Sequence, residues 1–355
     1  MNGLKRKESP ADSKVHEQSV DDCFLVNHNH GIYDIGNFLK YHPGGKVLSY
    51  FRNQNVEKAL EEHPHSKSAF HLLCECRVDG IDEENEIEVS LNGIWRLKDR
   101  LPAVDANQRY PRATCASVHC ESKLIDWNAP ILWQVGNLKG RYWEWVNLPL
   151  NRPIRLFESN FLENLTRSPW YSVPLVWGPL ALYLIHLGLA NYQANYSGEI
   201  PFLLCLGAFS WTALEYILHR MLFHFQPPDN SKLFITFHFL LHGNHHKAPF
   251  DNLRLVFPPM PGLVIGAAVW IIYGAIYPTR TVPLISAAYI CYDLTHYYLH
   301  HGSPAADSYL YTLKRSHNYH HFSHHEEAFG ITSKLWDKVF NTEVTLRKLA
   351  KPIEW

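Results

Sequence analysis

Ten of the twelve histidines between residues 219 and 321 restrict the folds open to this 355-residue chain more than any other feature. They fall in four short clusters: His219 and His224; His242, His245 and His246; His296 and His300; His317, His320 and His321. Neutral imidazole is the commonest protein metal ligand, and ten are too many for one ion and about right for two. Residues three and four apart share one face of a helix. Two clusters run i, i+3, i+4 and a third runs i, i+4, so each of these predicts a helical face presenting ligands. His219 and His224, at i, i+5, are expected to diverge from one helix end and so to suit different metals.

Two metals held mostly by imidazole suit oxygen activation. Iron accepts imidazole, and open coordination positions admit dioxygen, although zinc binds the same donors well. Soluble bundle di-iron proteins use Glu-x-x-His pairs instead, and no such pairs with suitable partners stand here. Asp293, three residues before His296, is either a carboxylate that orients that imidazole through its second nitrogen or a helix-end charge. His238, His301, His324 and His325 neighbour the clusters and are not counted as ligands.

Between the clusters lie apolar runs. Trp170–Ala190 has no Asp, Glu, Lys or Arg in 21 residues, enough for a hydrocarbon core of ~30 Å. Ile200–Leu218, Phe257–Thr279 and a stretch opening at Val282 follow. Four spans in two hairpins are expected, joined by residues 191–199 and 278–281, where Arg280 is the one basic residue. Lys and Arg crowd the other side, which places both termini and all four histidine clusters in the cytosol. The ligands would then form a cytosolic cap on an all-α membrane domain. Residues 140–168 alternate Trp143, Trp145, Leu156, Phe157, Phe161 and Leu162 with charge, as an interfacial segment or the packing beneath the cap would.

A net charge of −1 gives no reason to expect a nucleic-acid partner. Seven scattered cysteines suggest neither a zinc knuckle nor a disulfide framework. Residues 1–15 are polar and expected to be disordered, 16–90 to form a small globular domain, 91–130 a linker, and 131–355 the membrane domain. No secretory signal opens the chain, so the first span would target it to the membrane.

In the small domain, His42-Pro43-Gly44-Gly45 follows Tyr33-Asp34-Ile35, and His65-Ser66 comes 23 residues after His42. This stretch resembles cytochrome b5, an α+β haem fold. The resemblance implies haem b held by His42 and His65, with His63 the close competitor; Ser66 favours His65. A haem held on both faces has no open position and suits electron transfer.

A cytochrome b5-like domain joined to these clusters resembles the fatty acid 2-hydroxylases, within the fatty acid hydroxylase and sterol desaturase superfamily. The stretches that carry the likeness are ILWQVGNL (131–138), RPIRLF (152–157), WYSVP (170–174), HGNHHKAPFD (242–251), RLVFPP (254–259), YDLTHYYLH (292–300) and GITSKLWD (330–337). The family's HxxxxH, HxxHH, HxxxH and HxxHH motifs fall on the ten histidines, which the resemblance makes ligands of two iron ions. It further implies O2-dependent hydroxylation at C2 of a long-chain fatty acid or acyl lipid for sphingolipid synthesis. The electrons would come from an NAD(P)H-dependent reductase through the haem, in the endoplasmic reticulum membrane. A sterol or sphingoid-base oxidase of the same superfamily, a haem-bearing membrane electron carrier without catalysis, and a zinc transporter are the rivals.

Overall fold

The computed structural model describes residues 24–29, 31–63, 65–78, 124–190, 199–276 and 282–355. The 1–15 stretch, most of the 91–130 linker and the 191–198 link lie outside these.

The small domain is built on a three-stranded sheet in the order β2-β1-β3. β1 (Leu25–His28) pairs antiparallel with β2 (Gly31–Asp34) and parallel with β3 (Gln54–Asn55). Alternate side chains of a strand share a face, which buries Val26 and Tyr33; Ile35 and Val56 close the core with Leu39, Leu48, Phe51, Leu60 and Leu73. α1 (Glu57–Glu62) and α2 (Lys67–Glu75) follow. Ser66 starts α2 by accepting from the Ala69 amide, one of the donors a helix N-terminus leaves open.

The larger unit opens with a platform. α3 (Leu132–Val135), α4 (Tyr142–Val146) and α5 (Asn160–Leu165) are short. Trp145, Tyr142, Leu150 and Leu156 pack with Ile235 and Phe239 from the helix above. Of the aromatic and aliphatic residues between 140 and 168, Trp145 and Leu156 are therefore core, whereas Phe161 and Leu162 are exposed.

Each of the four apolar runs is helical: α6 (Ser172–Ala190), α7 (Glu199–Ile217), α10 (Pro259–Ile276) and α11 (Val282–His301). Among the described residues, however, no helix is long and apolar enough to cross a membrane. α6 and α7 both pack on α11. Leu175, Leu182, Phe209, Val264 and Ile271 on these helices are exposed.

α8 (Lys232–His238), α9 (Asn244–Lys247), α12 (Tyr309–Phe322) and α13 (Leu335–Val339) lie with the histidine-bearing ends of this group. Ser231 and Ser308 cap α8 and α12 as Ser66 caps α2. Two π-helical turns interrupt the regular pitch, at Leu218–Phe223 and Phe239–Gly243. Such turns collect at functional sites.

Candidate metal centre

The ten histidines gather into two groups of five. His219, His224, His242, His246 and His320 form one; His245, His296, His300, His317 and His321 form the other, and within each the ligand atoms lie within 4.8 Å of one another. The partition does not follow the sequence clusters. His242 and His246 face the first group while His245, between them, faces the second. In α12, His317 and His321 serve the second group and His320 crosses to the first. Both helices therefore lie between the groups and present ligands to each.

His219 and His224 do not diverge. The π-turn carries an amide-to-carbonyl bond from His224 to His219 of 3.0 Å. That i, i+5 bond brings the two rings onto one side, their centroids 4.9 Å apart.

Backbone carbonyls set the tautomers. Nδ1 of His219 donates to the Phe329 carbonyl at 2.6 Å and Nδ1 of His320 to Glu327 at 2.6 Å. His296 Nδ1 donates to Leu255 at 3.0 Å. Each of those rings then presents an Nε2 lone pair inward. His219 Nε2 stands 3.3 Å from His242 Nε2, and His224 Nε2 stands 3.0 Å from His320 Nε2 and 3.1 Å from His246 Nε2. In the second group the Nε2 separations are 2.8 Å (His300–His317), 3.1 Å (His317–His321) and 3.0 Å (His245–His321).

Protons alone do not satisfy these contacts. A neutral imidazole carries one N–H, and His224 Nε2 meets two neighbours. The buried Nδ1 atoms of His224, His245, His246, His317 and His321 have no protein partner either. Imidazole nitrogens each ~2 Å from a shared ion sit about 3 Å from one another, so the donor set fits a transition-metal ion in each group. Burial, with help from neighbouring imidazoles, holds His224, His242, His245, His246, His317 and His321 well below the usual imidazole range. Neutral rings are the ligand-competent form.

Asp293 does not orient His296. Its carboxylate accepts from the Phe257 amide at 3.1 Å and the Tyr289 hydroxyl at 3.0 Å. The expected His296 bond is made by the Leu255 carbonyl, because Asp293 fixes the chain two residues beyond Leu255. Asp337, inside the GITSKLWD stretch, accepts from the amides of Phe329 and Gly330 at 2.9 Å each and so sets the carbonyl that holds His219. Glu215 binds Thr332 through its amide at 2.9 Å and its hydroxyl at 2.6 Å, tying the same loop to α7. Arg254 pairs with Glu163 in the interior, both nearly inaccessible, beside Leu255. The sequence pattern carries no signal for carbonyl acceptors; only the motif stretches around Asp337 and Arg254 point to these supports.

An apolar cavity of ≈ 870 Å³ reaches the groups through His242, His245 and His296. Trp177, Trp211, Leu240, Met260 and Val264 are among its walls. Its size lies in the upper part of the ~300–1,000 Å³ range of ligand clefts.

In the small domain the His42 and His65 rings face each other with centroids 6.3 Å apart and planes 20° from parallel. That is about the 6 Å that imidazoles on opposite faces of one iron require. His42 Nδ1 donates to the Gly45 carbonyl at 3.2 Å and His65 Nδ1 to the His63 carbonyl, leaving both Nε2 atoms for a metal. His63 thus contributes its carbonyl to the ring it rivalled. A side chain on Gly44 would meet the His42 ring at 2.6 Å. Burial, with His65 a lesser contributor, pushes His42 down to about 4.

Aromatic rings link the two sites. His42 meets Phe38 at 5.9 Å, Phe38 meets Phe250 at 5.7 Å, and Phe250 stacks on Phe322 at 5.8 Å, the neighbour of His321. His301 packs instead on Tyr41 at 5.8 Å and stands outside both groups.

Comparison with known proteins finds two family models on the chain. The "Cytochrome b5-like Heme/Steroid binding domain" profile matches residues 9–82 and the "Fatty acid hydroxylase" profile residues 204–342. The fatty acid 2-hydroxylase of Homo sapiens is 37% identical over 356 residues, covering 93% of this chain and 94% of its own. The chain belongs to the fatty acid 2-hydroxylase family. A second member of the wider group, the ceramide very long chain fatty acid hydroxylase of Saccharomyces cerevisiae, is 34% identical over 91% of both chains. Among solved structures, full-length scs7p, of which only the hydroxylase domain is visible, superposes with a TM-score of 0.58 at 34% identity. That match covers 65% of this chain and 89% of the other. The family name thus rests on near full-length likeness, with a haem-type domain and a hydroxylase-type domain in one chain.

Proposed function

We propose that this protein is a membrane di-iron monooxygenase that hydroxylates C2 of long-chain fatty acids, free or in ceramide. Two imidazole groups opening onto one large apolar cavity carry the reading. Each group of five histidines holds one iron, and His42 and His65 hold haem b. The domain over 16–90 feeds electrons to the one over 131–355.

When bound, the iron pair supplies the oxidising power to insert one atom of O2 into a C–H bond. The chain's own part is placement. The cavity walls take the alkyl chain and exclude water, so the carbon beside the head group is the one that stops at His242, His245 and His296. Carbonyls of Leu255, Glu327 and Phe329 keep three imidazoles in the tautomer that offers Nε2. Each turnover takes two electrons and two protons; one oxygen atom enters the product and the other leaves as water. An NAD(P)H-dependent reductase recharges the haem.

We place the protein in the endoplasmic reticulum membrane with four spans and both termini cytosolic. The exposed apolar side chains of α6, α7 and α10 support this, since exposed patches of that kind mark contact with lipid or protein. So does the excess of Lys and Arg on the histidine-bearing side.

The test is expression in cells lacking 2-hydroxylase activity, with acyl chains read by mass spectrometry. Wild type should raise 2-hydroxy acyl chains and His317→Ala should not. Altered sterols without 2-hydroxy acyl chains in the wild type would sink the assignment.

A further inference from the structure

Ile353–Trp355 lies against the small domain as well as its own. The Ile353 amide donates to the Tyr311 hydroxyl at 2.8 Å. The Lys46 amide donates to the Glu354 carbonyl at 2.7 Å, and Trp355 Nε1 donates to the Pro43 carbonyl at 3.1 Å. These two partners bracket Gly44 and Gly45, in the turn that carries His42. Gly45 has φ +72°, and a side chain there would run into the Glu354 carbonyl.

The other face of the tail is held just as firmly. The Trp355 ring packs on Tyr311 at 5.1 Å and beneath the Lys314 ammonium at 5.0 Å. Lys314 Nζ is itself fixed by the carbonyls of Leu299 and His300, at 2.8 and 3.1 Å. His300 belongs to the second imidazole group. A few residues therefore bridge the turn next to one haem-type ligand and the helix end next to a metal-type ligand. Elsewhere the two domains meet through the Ser68 hydroxyl on the Asn147 carbonyl at 3.1 Å, the buried His71 ring, and the Lys67–Glu144 and Arg152–Glu75 ion pairs; of these the exposed Lys67–Glu144 pair holds weakly.

This position decides the ring-to-ring path. Phe38 and Tyr41 belong to the small domain and both meet Phe250 of the larger one, at 5.7 and 5.2 Å. Electron transfer slows exponentially as a gap widens, so loss of that contact would isolate the two sites.

We propose that Ile353–Trp355 is a clasp that holds the haem domain in electron-transfer contact with the second imidazole group, along Phe38, Phe250 and Phe322 to His321. The direction of electron flow rests on the hydroxylase reading; the clasp itself rests on the contacts. With haem held by His42 and His65 and metal held by the His321 group, each passage would carry one electron from the first site to the second. Two passages, with two protons from solvent, would send one atom of O2 to water and the other into the substrate C–H bond, and a pyridine-nucleotide-dependent reductase would replace the electrons.

The test uses full-length, haem- and metal-loaded enzyme as wild type, Trp355→Phe, Trp355→Ala and a chain stopped after Pro352. Deuterium exchange at the Lys46 amide should rise at least tenfold in the stopped chain. Re-oxidation of pre-reduced haem under O2 should slow at least tenfold in Trp355→Ala and the stopped chain, with haem spectrum and metal content unchanged. Trp355→Phe, which keeps the ring, should recover most of the rate. Turnover driven by a small one-electron mediator that bypasses the haem should stay at the wild-type level. Unchanged exchange and re-oxidation, or mediator-driven turnover that falls with the haem-driven rate, would overturn the clasp. Should these changes occur while wild type makes no 2-hydroxy product, the substrate reading fails and the clasp stands.

Discussion

The imidazole of His219 is turned toward its group by the carbonyl of Phe329, 2.6 Å from Nδ1. Phe329 in turn is fixed by Asp337, which takes its amide and that of Gly330. Asp337→Ala removes the support without removing a ligand. Partners of this kind commonly matter by ~10–100-fold in metal affinity or activity. The expected result is a loss of that order in 2-hydroxylation, with metal lost on mild dialysis; wild-type metal retention would refute the role.

His317 offers Nε2 to both His300 and His321, at 2.8 and 3.1 Å. His317→Ala should reduce tightly bound metal by at least half, measured by mass spectrometry of the purified protein, and abolish product. Full metal content in this variant would show that His317 is not a ligand.

Much of this is legible in the sequence alone. Ten ligand candidates, the haem-side pair and the four apolar runs are all plain in the order of residues. The grouping is not. An i, i+3, i+4 spacing puts three rings on one helix face, and periodicity cannot say that His245 turns away from His242 and His246. Nor does periodicity register a π-turn, so His219 and His224 read as divergent. Backbone carbonyls leave no mark in sequence, which is why Asp293 looked like the orienting group for His296 and Leu255 did not. Helix length is likewise set by packing and not by apolar runs alone: among the described residues no helix is long and apolar enough to cross a membrane.

His65→Ala should convert the haem spectrum from a form with two axial imidazoles to one with an open position. His63→Ala should leave it six-coordinate, because His63 contributes only its carbonyl to the His65 ring. Visible absorption of the oxidised and reduced proteins checks both.

Arg254 and Glu163 form an ion pair out of contact with water. Removing one partner of such a pair costs about 3–5 kcal/mol where the other charge is left buried alone; here Asp251 Oδ2 still lies 3.5 Å from Arg254 Nε. Glu163→Ala is therefore expected to lower thermal stability by the lower end of that range, about 3 kcal/mol, and to loosen His296 through Leu255. A melting temperature within a degree of wild type would contradict this.

His71 lies buried between the domains, and burial, with Lys247, Lys67 and Arg152 adding, takes its pKa from 6.5 to about 3. The unfolded chain therefore takes up this proton first. The stability His71 supports is complete above pH ~6.5 and is lost as pH falls toward 3. Melting curves between pH 7 and 4 should show wild type losing stability more steeply than His71→Leu; parallel slopes would rule the residue out.

The crossing of His245 and His320 between the two groups has a consequence for loading. A single ion in either group fixes the rotation of both α9 and α12, because each helix gives ligands to it. The second ion then meets rings whose freedom is already spent, and ordering entropy alone makes it bind more tightly than the first. Titrated with metal, the apoprotein should pass almost directly from empty to doubly filled, with little of the half-loaded form at any concentration.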